Sequence, residues 1–132
     1  YLSKLLRGDL VIGLGMTEPN AGSAVTDLTT KAVKDGDGYR VSGSKVFTSN
    51  SPDADIFLVY VRYHEGVDGI GSVLMDTSMN GFSKGSPSRY TNGEEWCALY
   101  FDDVFIPKEN VLLGPVGAKD VSHEAAERGR RI

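Results

Sequence analysis

The chain has 132 residues, of which 40% are hydrophobic and 24% are charged, as expected of one folded domain with its own core. Its formal net charge of −4 and its scattered basic residues argue against a nucleic-acid partner. Cys97 is the sole cysteine, which excludes an intrachain disulfide and favours a cytosolic compartment. Its apolar neighbours predict a buried thiol, and no apolar run is long enough to predict a membrane span.

Both ends of the chain are predicted to be helical stubs. The segment "YLSKLLRG" has leucines at helical spacing and Gly8 as a stop signal. The segment "KDVSHEAAERGRR" carries two Glu–Arg pairs at i,i+4 spacing. We therefore expect residues 1–8 to end one helical domain, residues 9–116 to form a β domain, and residues 117–132 to begin another helical domain.

Between the stubs the pattern predicts strands. "LVIGLGM" comes first, and "LTTKAVKD" and "YRVSGSKVF" flank Gly36-Asp37-Gly38, a strong hairpin signal. "DIFLVYVRY" is apolar on both faces, "GIGSVLMD" follows, and "CALYFDDVFI" ends at Pro107. Gly and Pro punctuate these segments as in a sandwich or barrel. We predict an all-β fold, an antiparallel β-barrel of about seven or eight strands with helical stubs at both termini.

The first candidate site is the stretch "GLGMTEPNAGSAV", which runs from Gly13 to Val25. It lacks the third glycine and the following helix of a dinucleotide-binding fingerprint. Thr17 and Ser23 offer hydroxyl groups, and Gly22 lets the backbone approach a ligand closely. The residues alone leave two interpretations open, a loop that holds a ligand and an ordinary connection between strands.

The second candidate site is "GSKVFTSN", from Gly43 to Asn50. If the strand is continuous, Phe47 and Ser49 share a face, so an aromatic ring and a hydroxyl group meet the same planar ligand. Phe47 then also shares its face with Tyr39. The alternative, which the residues alone favour, is a core phenylalanine followed by a Ser/Asn turn.

No pattern indicates a hydrolytic or metal site. His64 and His123 are far apart in the sequence and have no metal-ligand spacing. Asp102 and Asp103 are adjacent at the end of a predicted strand, where neighbouring side chains point to opposite faces. We therefore assign no catalytic residue and no metal ligand.

Three stretches resemble the middle β-barrel domain of acyl-CoA dehydrogenases: "MTEPNAGS", "GSKVFTSNSPDADIFLVY" and "YFDDVFIPKENVLLG". These enzymes bind FAD and have a helical domain on each side of the barrel. The resemblance implies α,β-dehydrogenation of an acyl-CoA thioester, with the hydride passing to the flavin. The family's catalytic carboxylate lies in the C-terminal helical domain, so the resemblance implies that this chain alone is inactive.

The resemblance also implies partners and a location. The parent protein would contain both flanking helical domains, form a homo-oligomer and pass electrons to a protein that reoxidises the flavin. It would be cytoplasmic, or lie in the mitochondrial matrix if the source is eukaryotic.

The first stretch would wrap the flavin from Leu14 to Ser23. Groups at Met16 and Thr17 would bind the pyrimidine side of the isoalloxazine ring. Gly22 and Ser23 would lie by the pyrophosphate, where N–H and O–H groups donate to phosphate oxygens. Ser23 would also contact the acyl-CoA substrate.

In the second stretch, Phe47 would flank the flavin ring. Ser49 and the adjacent Thr48 backbone would lie near the nitrogen that accepts the hydride, where donors stabilise growing negative charge. The family often has Trp and Thr at the positions of Phe47 and Ser49, and Asp at Ala24. The region "SRYTNGEEWCALYF" also departs from the family pattern. These differences leave open an oxidase or hydroxylase branch, and the different class of a β-barrel interaction module without cofactor.

Overall fold

The computed structural model describes residues 1–115, so the predicted C-terminal stub lies outside the described part. Within it, the helix α1 spans Leu2–Arg7 and ends at Gly8, whose φ of 76° is the left-handed conformation of a helix stop. The predicted N-terminal helix is therefore confirmed. No helix in residues 1–115 is long and apolar enough to cross a membrane.

Nine strands make up most of the rest. They are β1 (Ile12–Gly15), β2 (Lys31–Asp35), β3 (Gly38–Thr48), β4 (Ile56–Arg62), β5 (Ile70–Asp76), β6 (Phe82–Lys84), β7 (Ser88–Arg89), β8 (Glu95–Pro107) and β9 (Val111–Leu113). All six predicted segments contain a strand. The additional strands β6, β7 and β9 have two or three residues each, too few to produce a periodic sequence pattern.

The strands form one mixed sheet in the order β6-β8-β3-β2-β4-β5-β9, with β1 paired to β4 and β7 paired to β8. The prediction of a mostly β fold is confirmed, but that of a purely antiparallel barrel is wrong in two respects. β1 runs parallel to β4, and β2 meets β4 in parallel at a single residue pair. The pairing between described strands also stays open, because β6 and β9 lie at opposite ends of the order.

Two β-bulges interrupt the long β3–β8 pair. Val41 pairs with Val104 and Gly43 with Phe101, so β8 contains one extra residue there. Further along, β3 contains the extra residue, between Lys45 and Thr48. A bulge shifts the alternation of side chains between the two faces of a strand. The prediction of one continuous β3 face is therefore wrong.

The core consists mainly of residues of β3, β4, β5 and β8. Its buried residues are Ala32, Tyr39, Val41, Ala54, Phe57, Val59, Val61, Val73, Met75, Leu99, Phe101, Val104, Ile106 and Val111. One face of β4 is buried in this core, whereas Leu58 and Tyr60 on its other face are partly exposed, so the prediction of a strand covered on both sides is confirmed for one face only. β1 approaches this core closely at Gly13. A Cβ atom at Gly13 would lie 2.5 Å from Cε1 of Phe57 and 3.1 Å from the carbonyl oxygen of Ser49.

We predict that Gly13→Ala lowers the free energy of unfolding by about 1–3 kcal/mol, the usual cost of overpacking. Thermal or urea unfolding of the purified, cofactor-free protein measures it. The matched control is Gly22→Ala, because a Cβ at Gly22 meets no atom within 4 Å. The control should change stability by less than about 0.5 kcal/mol. Equal shifts in the two variants would contradict this view of the β1–core contact.

Candidate functional site

The structure brings the two candidate stretches side by side. Leu14, in β1, forms an isolated antiparallel bridge with Ser49, just beyond β3. The Val46 amide donates a hydrogen bond of 2.9 Å to the carbonyl oxygen of Thr17. The segments around Thr17 and Phe47 are therefore neighbours on one surface, although about thirty residues separate them in the sequence.

A tight turn follows Thr17. The amide of Glu18 donates to the Ala21 carbonyl oxygen and the Ala21 amide donates to the Glu18 carbonyl oxygen, both at 3.1 Å. Gly22 and Ser23 come directly after this turn and are exposed. The backbone of Gly22 is not left-handed, and a Cβ there would meet open space. No described contact of the fold requires a glycine at this position.

A buried ion pair joins the two stretches from beneath. Glu18 is 5% exposed and Lys45 is fully buried, and their Oε1 and Nζ atoms are 2.9 Å apart. The Glu18 carboxylate also accepts hydrogen bonds from Thr29 N (2.7 Å), Thr29 Oγ1 (2.8 Å) and Thr30 N (2.9 Å). The Lys45 ammonium donates a second hydrogen bond, of 3.1 Å, to the Met16 carbonyl oxygen. Both buried charges are thus hydrogen-bonded, as stability requires.

The pair perturbs both titrations. Burial by itself raises the pKa of Glu18, but hydrogen bonds from Thr30, Lys45 and Thr29 outweigh it and lower the pKa to about 2. Burial lowers the pKa of Lys45, against the opposing effect of Glu18. Our sequence reading missed this pair. A signal was present, because Lys45 lies at even spacing from the inward-facing Tyr39 and Val41.

Phe47 is the extra residue of the β3 bulge. Its φ of 54° lies in the left-handed region, which is rare for a bulky side chain, and the ring is 55% exposed. The prediction that Phe47 shares a face with the buried Tyr39 is wrong for this reason. The ring packs instead against Trp96 at 4.7 Å and Tyr90 at 6.4 Å between ring centroids, which forms an aromatic patch on the surface.

The residues after Phe47 diverge in direction. Thr48 is buried, and its Oγ1 makes no hydrogen bond within residues 1–115. Ser49 is exposed beside the aromatic patch. The turn is anchored by Ser51, whose Oγ accepts from the amide of Cys97 at 2.6 Å. Cys97 itself is 2% exposed, which confirms the predicted buried thiol.

One cleft of the described surface, of about 460 Å³, adjoins Ser49 and Tyr90 and is rimmed by acidic residues that include Glu94 and Glu95. Another, of about 490 Å³, lies beside Arg62 and is lined in part by Thr26 to Thr29, directly after the first stretch. The Arg62 guanidinium donates to backbone carbonyl oxygens of Leu28, Thr26 and Gly66, so it holds loops together.

The acidic pair at the end of the long strand is structural. Asp102 and Asp103 are both exposed at the β8 bulge, and Asp103 has a φ of 53°. The expectation that they point to opposite faces is wrong, because the bulge breaks the alternation. Asp103 lies 3.9 Å from the Arg40 guanidinium. Within residues 1–115, no three His, Cys, Asp or Glu side chains are grouped to hold a metal ion.

The fold and the paired stretches agree with the comparisons of sequence. Residues 13–104 match the family profile of the acyl-CoA dehydrogenase middle domain. Isovaleryl-CoA dehydrogenase, mitochondrial, of Arabidopsis thaliana is 37% identical over 116 residues, which cover 85% of this chain and 28% of that protein. The chain belongs to the acyl-CoA dehydrogenase family. Within that family it corresponds to the middle domain.

Solved structures give the same assignment. The FAD complex of PigA aligns with a TM-score of 0.83 and 29% identity, covering 90% of this chain and 32% of that one. The ChsE4-ChsE5 complex from Mycobacterium tuberculosis aligns with a TM-score of 0.81 and 32% identity, covering 99% and 33%. This chain therefore spans about a third or less of each of these proteins.

We predict that the Glu18 ion pair makes stability fall at acid pH. A carboxyl group whose pKa is lower in the folded than in the unfolded state adds stability above its unfolded pKa, near 4.5. That stability is lost as the pH falls toward the folded pKa of about 2. The loss amounts to about 3 kcal/mol, at about 1.4 kcal/mol per pKa unit. Urea unfolding at several pH values measures it.

In Glu18→Gln the loss of unfolding free energy at acid pH that Glu18 causes should disappear. Stability at neutral pH should fall by about 3 kcal/mol or more because Lys45 loses its partner. The matched control is Glu109→Gln, since Glu109 is exposed and makes no side-chain hydrogen bond within residues 1–115. The control should lose stability at acid pH to the same extent as the wild-type protein. An unchanged pH profile in Glu18→Gln would contradict the prediction.

Proposed function

We propose that this chain is the flavin-binding middle domain of an FAD-dependent acyl-CoA dehydrogenase, which forms a double bond between the α and β carbons of an acyl-CoA thioester. The observation that carries this proposal is the junction of the two stretches at Leu14–Ser49 and Thr17–Val46. The junction brings the Thr17 donors, which make no hydrogen bond within residues 1–115, beside an aromatic ring that is 55% exposed.

Three features support a bound planar, anionic cofactor. Within residues 1–115, neither the amide nor the hydroxyl group of Thr17 makes a hydrogen bond. Gly22 leaves room for close approach to its backbone. Phe47 holds a costly backbone conformation while exposing its ring. A ligand that stacks on the ring and accepts from Thr17 accounts for all three.

FAD fits this set of groups, and bound flavin supplies a hydride acceptor. In the proposed site, the segment from Leu14 to Ser23 would wrap the flavin, groups at Met16 and Thr17 would bind the pyrimidine side of the ring, and Phe47 would flank the ring. Ser49 donates near the hydride-accepting nitrogen, together with the backbone of Thr48, whose side chain is turned inward. Separately, Gly22 and Ser23 bind the pyrophosphate, and Ser23 also touches the acyl-CoA.

The base that removes the α proton is supplied from outside residues 1–115. We propose the domain limits 1–8, 9–116 and 117–132, with helical domains of the parent protein on both sides of the β domain. We further propose a homo-oligomer, a separate protein that takes electrons from the reduced flavin, and a cytoplasmic or mitochondrial-matrix location; the Arabidopsis relative is named as mitochondrial.

The direct test is to purify the complete protein that contains this chain and add a panel of acyl-CoA thioesters. We expect a bound flavin whose visible absorbance is bleached by at least one thioester. Absence of flavin overturns the proposal and favours a cofactor-free interaction module. Flavin that no thioester reduces, but that consumes oxygen with another substrate, overturns the dehydrogenase assignment in favour of oxidase or hydroxylase chemistry.

We predict that Thr17→Val weakens FAD binding about tenfold, because a flavin acceptor loses its hydroxyl donor. Stability of the cofactor-free protein should change by less than about 0.5 kcal/mol, since that hydroxyl makes no hydrogen bond in the described chain. The matched control is Thr26→Val, at an exposed threonine outside the two stretches. Titration of the cofactor-free protein with FAD measures the affinity of both variants. Equal affinity in Thr17→Val and the wild-type protein would contradict the assigned contact.

A further inference from the structure

The buried Lys45 ammonium does more than neutralise Glu18. Its Nζ atom lies 2.9 Å from the Glu18 carboxylate and 3.1 Å from the Met16 carbonyl oxygen. The second of these contacts places a positive charge on the backbone of the proposed flavin loop, and Lys45 is fully buried, so water does not screen it there.

The carbonyl oxygen of Met16 and the amide N–H of Thr17 belong to the same peptide group. A cation on the oxygen draws electron density along that group and strengthens the N–H as a donor, as in any chain of polarised hydrogen bonds. Within residues 1–115 this N–H donates to nothing. Its strengthened donation is therefore available to a ligand beside Thr17.

We propose that Lys45 and Glu18 are a positioning pair, which sets how strongly the Met16–Thr17 peptide donates to the flavin and thereby sets the flavin reduction potential. This inference rests on the proposed function. Neither side chain touches the cofactor; both act through the peptide. Reduction adds negative charge to the flavin, so a stronger donor favours the reduced form over the oxidised form.

Opposite changes to the pair should move the potential in opposite directions. Removing the Lys45 charge leaves a buried carboxylate near the loop and a weaker peptide donor, which disfavours reduced flavin. Neutralising Glu18 leaves Lys45 without its counter-charge, which favours reduced flavin. If the pair only stabilised the fold, both variants would loosen the site. The two reduction potentials would then not shift in opposite directions from the wild-type value.

The experiment uses the complete flavoprotein and redox titration against a reference dye. We expect Lys45→Met to shift the reduced-to-oxidised ratio at least tenfold toward oxidised flavin, which is a potential about 30 mV lower for a two-electron couple. We expect Glu18→Gln to shift the ratio toward reduced flavin by a comparable factor. FAD affinity is measured in parallel, so that looser binding is separated from altered potential.

The matched control is Lys84→Met. Lys84 is also partly buried and also donates to two backbone carbonyl oxygens, those of Pro52 (3.2 Å) and Ala54 (2.8 Å). It does not contact the Met16–Thr17 peptide. Its variant should keep the wild-type potential even if its stability falls.

Three results overturn the inference: unchanged potentials in both pair variants, shifts of the same sign, or an equal shift in Lys84→Met.

If Lys45→Met does not retain flavin, Glu18→Gln decides, and a potential at or below the wild-type value overturns the inference. If Glu18→Gln does not retain flavin, Lys45→Met decides, and a potential at or above the wild-type value overturns it. If neither single variant retains flavin, the double variant Glu18→Gln/Lys45→Met decides, because it leaves no unpaired buried charge. We expect this double variant to retain flavin at a lower reduction potential than the wild-type protein. Loss of flavin, or a potential that is not lower, overturns the inference. A wild-type protein without flavin overturns the proposed function instead.

Discussion

The Glu18–Lys45 ion pair is the interaction on which the candidate site depends. Burying two charges requires hydrogen-bonding partners for both, and here Thr29 and Thr30 donate to the Glu18 carboxylate while the Met16 carbonyl oxygen accepts a second hydrogen bond from Lys45. The network joins Met16 and Glu18 of the first stretch, Thr29 and Thr30 just before β2, and Lys45 of β3. It therefore fixes the relative position of segments that are distant in the sequence.

The bulges decide what this scaffold presents to the outside. In an uninterrupted β3, Phe47 would follow the inward alternation and become another core ring. The extra residue turns Phe47 outward beside Trp96 and turns Thr48 inward. The cost is a left-handed backbone at a bulky residue, a kind of strain that proteins retain mainly at functional sites.

Much of the chain could be predicted from its sequence, for local reasons. The Gly36-Asp37-Gly38 turn and the apolar run of β4 are short-range signals, and the hairpin and the strand that they predict are present. The bulges, the parallel β1–β4 pairing and the open edges depend on long-range register, which one sequence does not encode in periodicity. The resemblance located both stretches of the site, whereas the buried Lys45 was missed because an isolated charge usually indicates a solvated face.

Under the proposed function, this β sheet holds the cofactor, and the acid–base chemistry is supplied from outside residues 1–115. The central proposal is that one flavin is held between the Thr17 and Phe47 segments. A crystal structure of the complete protein with FAD tests this most directly. We predict hydrogen bonds from Thr17 to the isoalloxazine ring, Phe47 against its face and Lys45 still on the Met16 carbonyl. A flavin bound elsewhere, with Thr17 and Phe47 in solvent, would contradict the account.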